Sequence, residues 1–145
     1  MPVEIIPARA EHRAALCVLL QQAGLPDEDL PEDLTHFLLA TDGAARVIGS
    51  AGWELYGPIG LFRSFAVAPE HRSTGIGQRL YEAAIAHARL HGVEEAWLIT
   101  TSAADYFAKR GFENAIRDTA PAPIRNTAQF SGLCPASAAL MKRSL

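Results

Sequence analysis

Between Ala44 and His91 the sequence changes its period once, and that change limits the folds open to it. From Ala44 to Val67, Val47, Ile48, Trp53, Leu55, Tyr56, Ile59, Leu61, Phe62, Phe65 and Val67 recur between glycine and proline punctuators. β-branched and aromatic residues spaced in this way read as strands broken by turns. The pattern predicts three consecutive antiparallel strands, turning near Ser50-Ala51-Gly52 and at Gly57-Pro58. From Gly75 to His91 the period becomes helical: Ile76, Leu80, Ala84 and Ala88 follow at i+4 steps, with Gln78, Arg79, Glu82 and Arg89 between them and Gly92 as a stop. Strands feeding a helix through one short loop indicate an α/β domain with a mixed sheet.

The flanking segments extend the scheme. Val3 to Ile6, closed by Pro7, suits a first strand. Glu11 to Ala23 places Leu16, Leu19, Leu20 and Ala23 on one helical face before Gly24. Pro26 to Asp33 reads as an acidic loop, and Asp33 to Ala40 as a short helix ending near Asp42-Gly43. Beyond the central helix we expect a strand at Ala96 to Thr100, a helix at Ser102 to Lys109, a strand from Phe112, a helical turn after Pro123 and a last strand around Ala136 to Met141.

Composition excludes several function classes. At 145 residues, 49% of them apolar and 20% charged, the chain has the make-up of one soluble globular domain. A net charge of −3 with scattered Lys and Arg provides no basic stripe, so nucleic acid is not an expected partner. Two cysteines, Cys17 and Cys134, are neither a disulfide framework nor a zinc site. No apolar run approaches the roughly 18 residues of a membrane span, and Met1 to Ala10 lacks the pattern of a leader. We therefore expect a cytoplasmic protein with no membrane partner.

Chemistry concentrates at the junction of the two periods, in Val67-Ala68-Pro69-Glu70-His71-Arg72-Ser73-Thr74-Gly75-Ile76-Gly77-Gln78. A helix N-terminus presents amides without intrahelical partners at the positive end of the helix dipole, a setting for a phosphate or pyrophosphate. Gly75 and Gly77 let the backbone come close to such an anion. The alternative is purely structural, with Ser73-Thr74 capping the helix and the glycines making a tight turn. The lysine and hydroxyl of a nucleotide-triphosphate loop are absent.

Together with the later Tyr106-Phe107-Ala108-Lys109-Arg110-Gly111-Phe112, this segment resembles the GNAT family of N-acetyltransferases, and the resemblance covers nearly the whole chain. It implies a mixed, mostly antiparallel α/β sheet of six to seven strands flanked by helices, as a single domain over 1–145, with acetyl-CoA as co-substrate. It further implies that the amides of Arg72, Ser73, Thr74, Gly75, Ile76, Gly77 and Gln78 cradle the pyrophosphate. The main chain of Phe65, Ala66 and Val67 would pair with pantetheine like an added strand, and the Val67 N–H would polarise the thioester carbonyl. Two departures stand out. Many relatives place a tyrosine where Phe107 stands, as acid for the leaving thiolate, and an asparagine where Thr100 stands, as a pantetheine ligand. Tyr106 is the adjacent hydroxyl, but one helical step turns it by about 100°.

Acyl transfer to an amine requires the amine to lose a proton, and Glu54, on the strand before the cofactor strand, is the candidate base. A solvated glutamate on a strand face is the alternative. Arg63 and Ser64 lie where a substrate would approach, and Arg63 either forks onto a substrate carboxylate or pairs with an acid such as Glu54. The segment Pro121 to Ala138 resembles the tail of the N-acetyltransferases encoded in arsenic-resistance operons and, more distantly, bacterial amino-acid N-acetyltransferases of arginine synthesis. That likeness implies a small acidic amino-acid-like substrate, an arsenical or phosphinate analogue of glutamate included, with Arg125 and Thr127 available for its acidic groups. A homodimer through the C-terminal strands is a further arrangement this fold adopts. A sensor that binds acetyl-CoA without turnover is the rival reading.

No metal is expected. Of His12, His36, His71, His87 and His91, only His87 and His91 stand at i, i+4, and without a third ligand the pair reads as a helix surface feature. Cys134 alone is not a soft-metalloid site and reads as a small buried hydrophobe.

Overall fold

The structure, a computed structural model, describes residues 2–133 and 137–145. Its strands are β1 (Glu4–Pro7), β2 (Phe37–Thr41), β3 (Val47–Tyr56), β4 (Ile59–Val67), β5 (Glu95–Thr100), β6 (Glu113–Asn114) and β7 (Ala139–Ser144). They form one seven-stranded sheet in the order β1-β2-β3-β4-β5-β7-β6. The helices are α1 (Arg13–Gln22), α2 (Ile76–Leu90), α3 (Ala104–Ala108) and α4 (Ala122–Arg125), with short 3-10 turns between them. β1 with β2, β2 with β3, β5 with β7 and β6 with β7 run antiparallel, whereas β4 and β5 run parallel. A parallel pair cannot be joined by a tight turn; here α2 lies in the crossover. The expected mixed, mostly antiparallel α/β sheet is what forms.

The chain divides into two compact units, Met1–Trp53 with Ser64–His91, and Glu54–Arg63 with Gly92–Leu145. In the first, α2 packs on β1 and β2 and buries Ile76, Leu80, Tyr81, Ala84, Ile85 and Ala88. Leu16, Leu19 and Leu20 do the same for α1, as the sequence period predicts. In the second, Leu61, Trp97, Ala120, Ile124 and Leu140 form a buried cluster bordered by Tyr56, Ile59, Ile99, Ala115 and Phe130.

Three sequence expectations are corrected. Asp33 to Ala40 is not a helix: Phe37–Thr41 is β2, buried at every residue. A continuous apolar run has no helical or strand period of its own, and pairing with β1 and β3 on both edges decides it. The turn expected at Ser50-Ala51-Gly52 does not exist, because β3 runs unbroken through it. These small residues serve close packing: a Cβ on Gly52 would lie 2.4 Å from the Phe37 ring, and one on Gly49 would lie 2.8 Å from Leu80 Cδ1. The third correction concerns the His87/His91 pair, since His36, just before β2, brings a third imidazole nitrogen to within 4.8 Å of theirs. The expected start of the last strand at Ala136, and Cys134, lie outside the described residues.

Candidate active site

β4 delivers the chain to the glycine-bearing loop. Its parallel pairing with β5 runs from Ile59 opposite Glu95 to Phe62 opposite Leu98. Two residues later Ser64 takes a left-handed conformation, φ 61°, a strained geometry for a serine inside a strand that neighbouring structure must hold. Ser50 does so by donating its hydroxyl to the buried Ser64 carbonyl at 2.6 Å. Phe65, Ala66 and Val67 follow, and Ala68 N–H bonds the Ile48 carbonyl at 2.8 Å.

After a 3-10 turn at Pro69–His71, Ser73 (φ 65°) and Gly75 (φ 84°) both turn left-handed, and α2 begins at Ile76. The structural alternative for this loop was a side-chain cap. The N-cap residue of α2 is Gly75, which makes no side-chain cap. Thr74 instead donates its hydroxyl to the His71 carbonyl at 2.5 Å, and Arg72 Nε donates to the Val67 carbonyl at 3.2 Å. A Cβ on Gly75 would meet nothing within 4 Å, so this glycine answers to its dihedral angle and not to crowding. The N-terminus of a 15-residue helix is thus presented by an exposed loop whose N-cap residue has no capping side chain, an arrangement that suits an anion. Gln78 lies one turn in, exposed, and bonds Glu82 at 2.6 Å.

The other candidates lie in the second unit, apart from Ser64. Glu54 is a hub: Arg63 Nη1 donates to its Oε2 at 2.7 Å, and Tyr56 donates its hydroxyl to Oε1. Arg63 is fully buried at its side chain, and Glu54 is 19% exposed. The geometry therefore matches the pairing alternative for Arg63, while Glu54 keeps an accessible edge. Thr100 accepts the Ala103 N–H at 2.9 Å and so anchors the turn into α3. Phe107 is buried edge-to-face against Phe112, whereas Tyr106, half-buried, carries the Arg110 guanidinium 3.5 Å above its ring. The Tyr106 and Phe107 rings nonetheless meet edge-to-face, with centroids 5.2 Å apart. Thr127 spends its hydroxyl locally, donating to the Ile124 carbonyl at 2.7 Å and accepting the Phe130 N–H at 3.3 Å. Arg125 is exposed at the end of α4.

Sequence reasoning passed over Tyr56 and Arg117. Tyr56 carries no motif, but its position two residues beyond Glu54 puts both side chains on one face of β3. Arg117 lies over the Phe130 ring at 4.4 Å and donates through Nη2 to the Phe130 carbonyl, while its buried Nη1 has no hydrogen-bond partner among the described residues. Nothing in the local sequence signals that. An orphan guanidinium nitrogen is costly, and it is suited to a carboxylate.

Comparison with known proteins agrees with this geometry. The chain is 29% identical over 128 residues to an amino-acid acetyltransferase of Neisseria meningitidis serogroup A, covering 83% of this chain and 29% of that protein. The N-acetylglutamate synthase of Neisseria gonorrhoeae, solved with coenzyme A and N-acetyl-glutamate, superposes with a TM-score of 0.81 at 25% identity, over 100% of this chain and 35% of that one. A Mycobacterium tuberculosis protein solved in complex with CoA superposes with a TM-score of 0.81 at 20% identity, over 98% of this chain and 99% of that one. The chain thus spans about a third of the length of the Neisseria relatives it matches. The family described as acetyltransferase (GNAT) domain matches residues 33–114. A match across β2 to β6, with the loop that opens α2 at its centre, means that this chain belongs to the GNAT acetyltransferase family.

Proposed function

We propose that this chain is an acetyl-CoA-dependent N-acetyltransferase whose acceptor is the amine of a small acidic amino-acid-like molecule. The observation that carries the reading is the N-terminus of α2, opened by a left-handed Gly75 without a capping side chain and reached from β4 through one short loop, in a GNAT-family domain. The relatives support the acceptor class, being amino-acid acetyltransferases.

The co-substrate supplies an acetyl group activated as a thioester. In the proposed scheme the amides of residues 72–78 hold its pyrophosphate, and the main chain of Phe65 to Val67 aligns its pantetheine, with Thr100 and Phe107 as further contacts. The Val67 N–H polarises the thioester carbonyl. Glu54, oriented by Tyr56 and Arg63, takes the proton of the acceptor ammonium directly or through water, so that the freed amine forms the new C–N bond as the C–S bond breaks. Tyr106 is the hydroxyl nearest in sequence to the position where relatives keep their acid, and Tyr106→Phe tests it: an unchanged kcat removes it from the mechanism. Arg63, Ser64, Arg125 and Thr127 are the acceptor-side residues of the sequence reading, Arg63 being paired with Glu54, and the Nη1 of Arg117, unpartnered among the described residues, adds a guanidinium suited to an acceptor carboxylate. Within this class the resemblance of the C-terminal segment favours a glutamate analogue containing arsenic or a phosphinate.

Release of CoA from acetyl-CoA is the direct test, with glutamate, phosphinothricin and arsenical analogues as acceptors beside a peptide lysine. Turnover on an acidic amino acid is expected. Binding of acetyl-CoA with no turnover on any of them would favour the sensor reading instead.

A further inference from the structure

The first unit also holds three imidazoles that the scheme above does not use. His87 and His91 lie one turn apart at the C-terminal end of α2, with ring centroids 4.5 Å apart. His36 precedes β2, stacks on Trp53 with centroids 4.1 Å apart, and lies 4.9 Å from the His91 ring and 5.6 Å from the His87 ring. We propose that His36, His87 and His91 form a binding site for a divalent transition-metal ion of the zinc class, clamping the entry to β2 onto the end of α2.

One nitrogen of each ring lies within 4.8 Å of the others. Tetrahedral zinc with Zn–N bonds of about 2.0–2.1 Å sets its nitrogens about 3.3 Å apart, so no pair of rings need close by more than roughly 1.5 Å on binding. One ring has its lone pair assigned by a hydrogen bond. His91 Nδ1 lies 2.9 Å from the His87 carbonyl oxygen. That oxygen can only accept, so the proton is on Nδ1 and Nε2 keeps its lone pair, the backbone-carbonyl support typical of metal-bound histidine. His36 Nδ1 is buried and has no hydrogen-bond partner among the described residues. His87 Nδ1 accepts the Trp53 indole N–H at 3.1 Å, so coordination through that nitrogen exchanges one neutral hydrogen bond for a metal bond.

The donor set selects the ion. Three imidazoles without a carboxylate among them suit zinc, copper, nickel or cobalt and not the oxygen-seeking magnesium or calcium. Burial first, and then repulsion from neighbouring imidazoles, hold His36 and His87 below the ordinary histidine value, against a smaller upward pull of Asp33 on His36. His91 is exposed, which leaves a fourth position open to water. The proposal does not depend on the acyl-transfer reading.

The test uses the full chain, free of any tag and stripped with a chelator, titrated with Zn²⁺ by calorimetry and followed by thermal melting. One Zn²⁺ per chain is expected, with a rise in Tm that grows with free metal. His91→Ala, at an exposed position, and His36→Phe, which keeps a ring on Trp53, should each weaken Zn²⁺ binding by about tenfold or more, and His91→Cys should restore it. A Cu²⁺ electron paramagnetic resonance spectrum of the unmutated chain should show three imidazole nitrogens, which keeps the test valid if His36→Phe does not fold. Absence of any Tm shift in the unmutated chain, or a spectrum with only two nitrogens, would overturn the proposal; the latter would mean simple chelation by the helical pair.

Discussion

Gly75 is the residue on which the cofactor reading turns most directly. Its φ of 84° lies where an L side chain is strained, although the space beside it is open. Gly75→Val should destabilise the protein by about 1–2 kcal/mol and leave it folded, while acetyl-CoA affinity in calorimetry falls at least about tenfold through displaced amides. Undiminished affinity would remove the loop from the site. Glu54 separates two roles in one side chain. Glu54→Ala removes the carboxylate that pairs with the fully buried Arg63 and should lower stability by about 3 kcal/mol, whereas Glu54→Gln keeps one oxygen to accept from Arg63 and places its NH2 toward the Tyr56 hydroxyl, which can accept as well as donate. The Gln variant should therefore lose less stability than the Ala variant and lose the alkaline-rising limb of the rate profile; a preserved limb means that Glu54 is structural.

The elements show where local pattern governs and where it fails. The α2 helix was legible because four apolar residues at i+4 steps leave one way to bury a stripe. The segment of β2 was not, since five consecutive buried residues carry no period, and only pairing partners distinguish strand from helix. Gly52 misleads in the same way, as a residue that looks like a turn and serves instead as room for the Phe37 ring. Gly52→Ala should cost about 1–3 kcal/mol by forcing that ring aside, and unaltered denaturant unfolding would show that the ring moves freely. In the β2–β3 connection, Asp42 accepts the Ala44 and Arg46 N–H groups, chiefly the latter, and its carboxyl is held below the ordinary aspartate value. A depressed folded-state pKa contributes stability above the unfolded value and loses it as pH falls through the folded one. Asp42→Ala should thus be destabilising at pH 7, with the difference from wild type narrowing below about pH 3.9; equal differences in melts at pH 7 and pH 3 would refute this.

Across the whole molecule, two compact units share continuous chain. β3 passes from one to the other at Trp53-Glu54, and β4 returns at Arg63-Ser64. Each unit contains part of both strands, so unfolding either would break β3 and β4 partway along their length, and a single cooperative transition is expected. Trp53 reports on the first unit and Trp97 on the second, both buried. Trp53→Phe and Trp97→Phe variants, each followed by the remaining indole, should give fluorescence midpoints that coincide with that variant's circular-dichroism midpoint; separated midpoints would make the units independent. At this scale the sequence by itself determined the α/β class, the strand-to-helix switch and the anion-suited loop, because each rests on residues close together in the chain whose spacing and backbone freedom act locally. The tertiary structure alone decided that Phe37–Thr41 is a strand, that Arg63 and Tyr56 hold Glu54, and that His36 joins His87 and His91. Those outcomes depend on which distant segments are brought side by side, and a pattern of neighbours along the chain contains no distance between them.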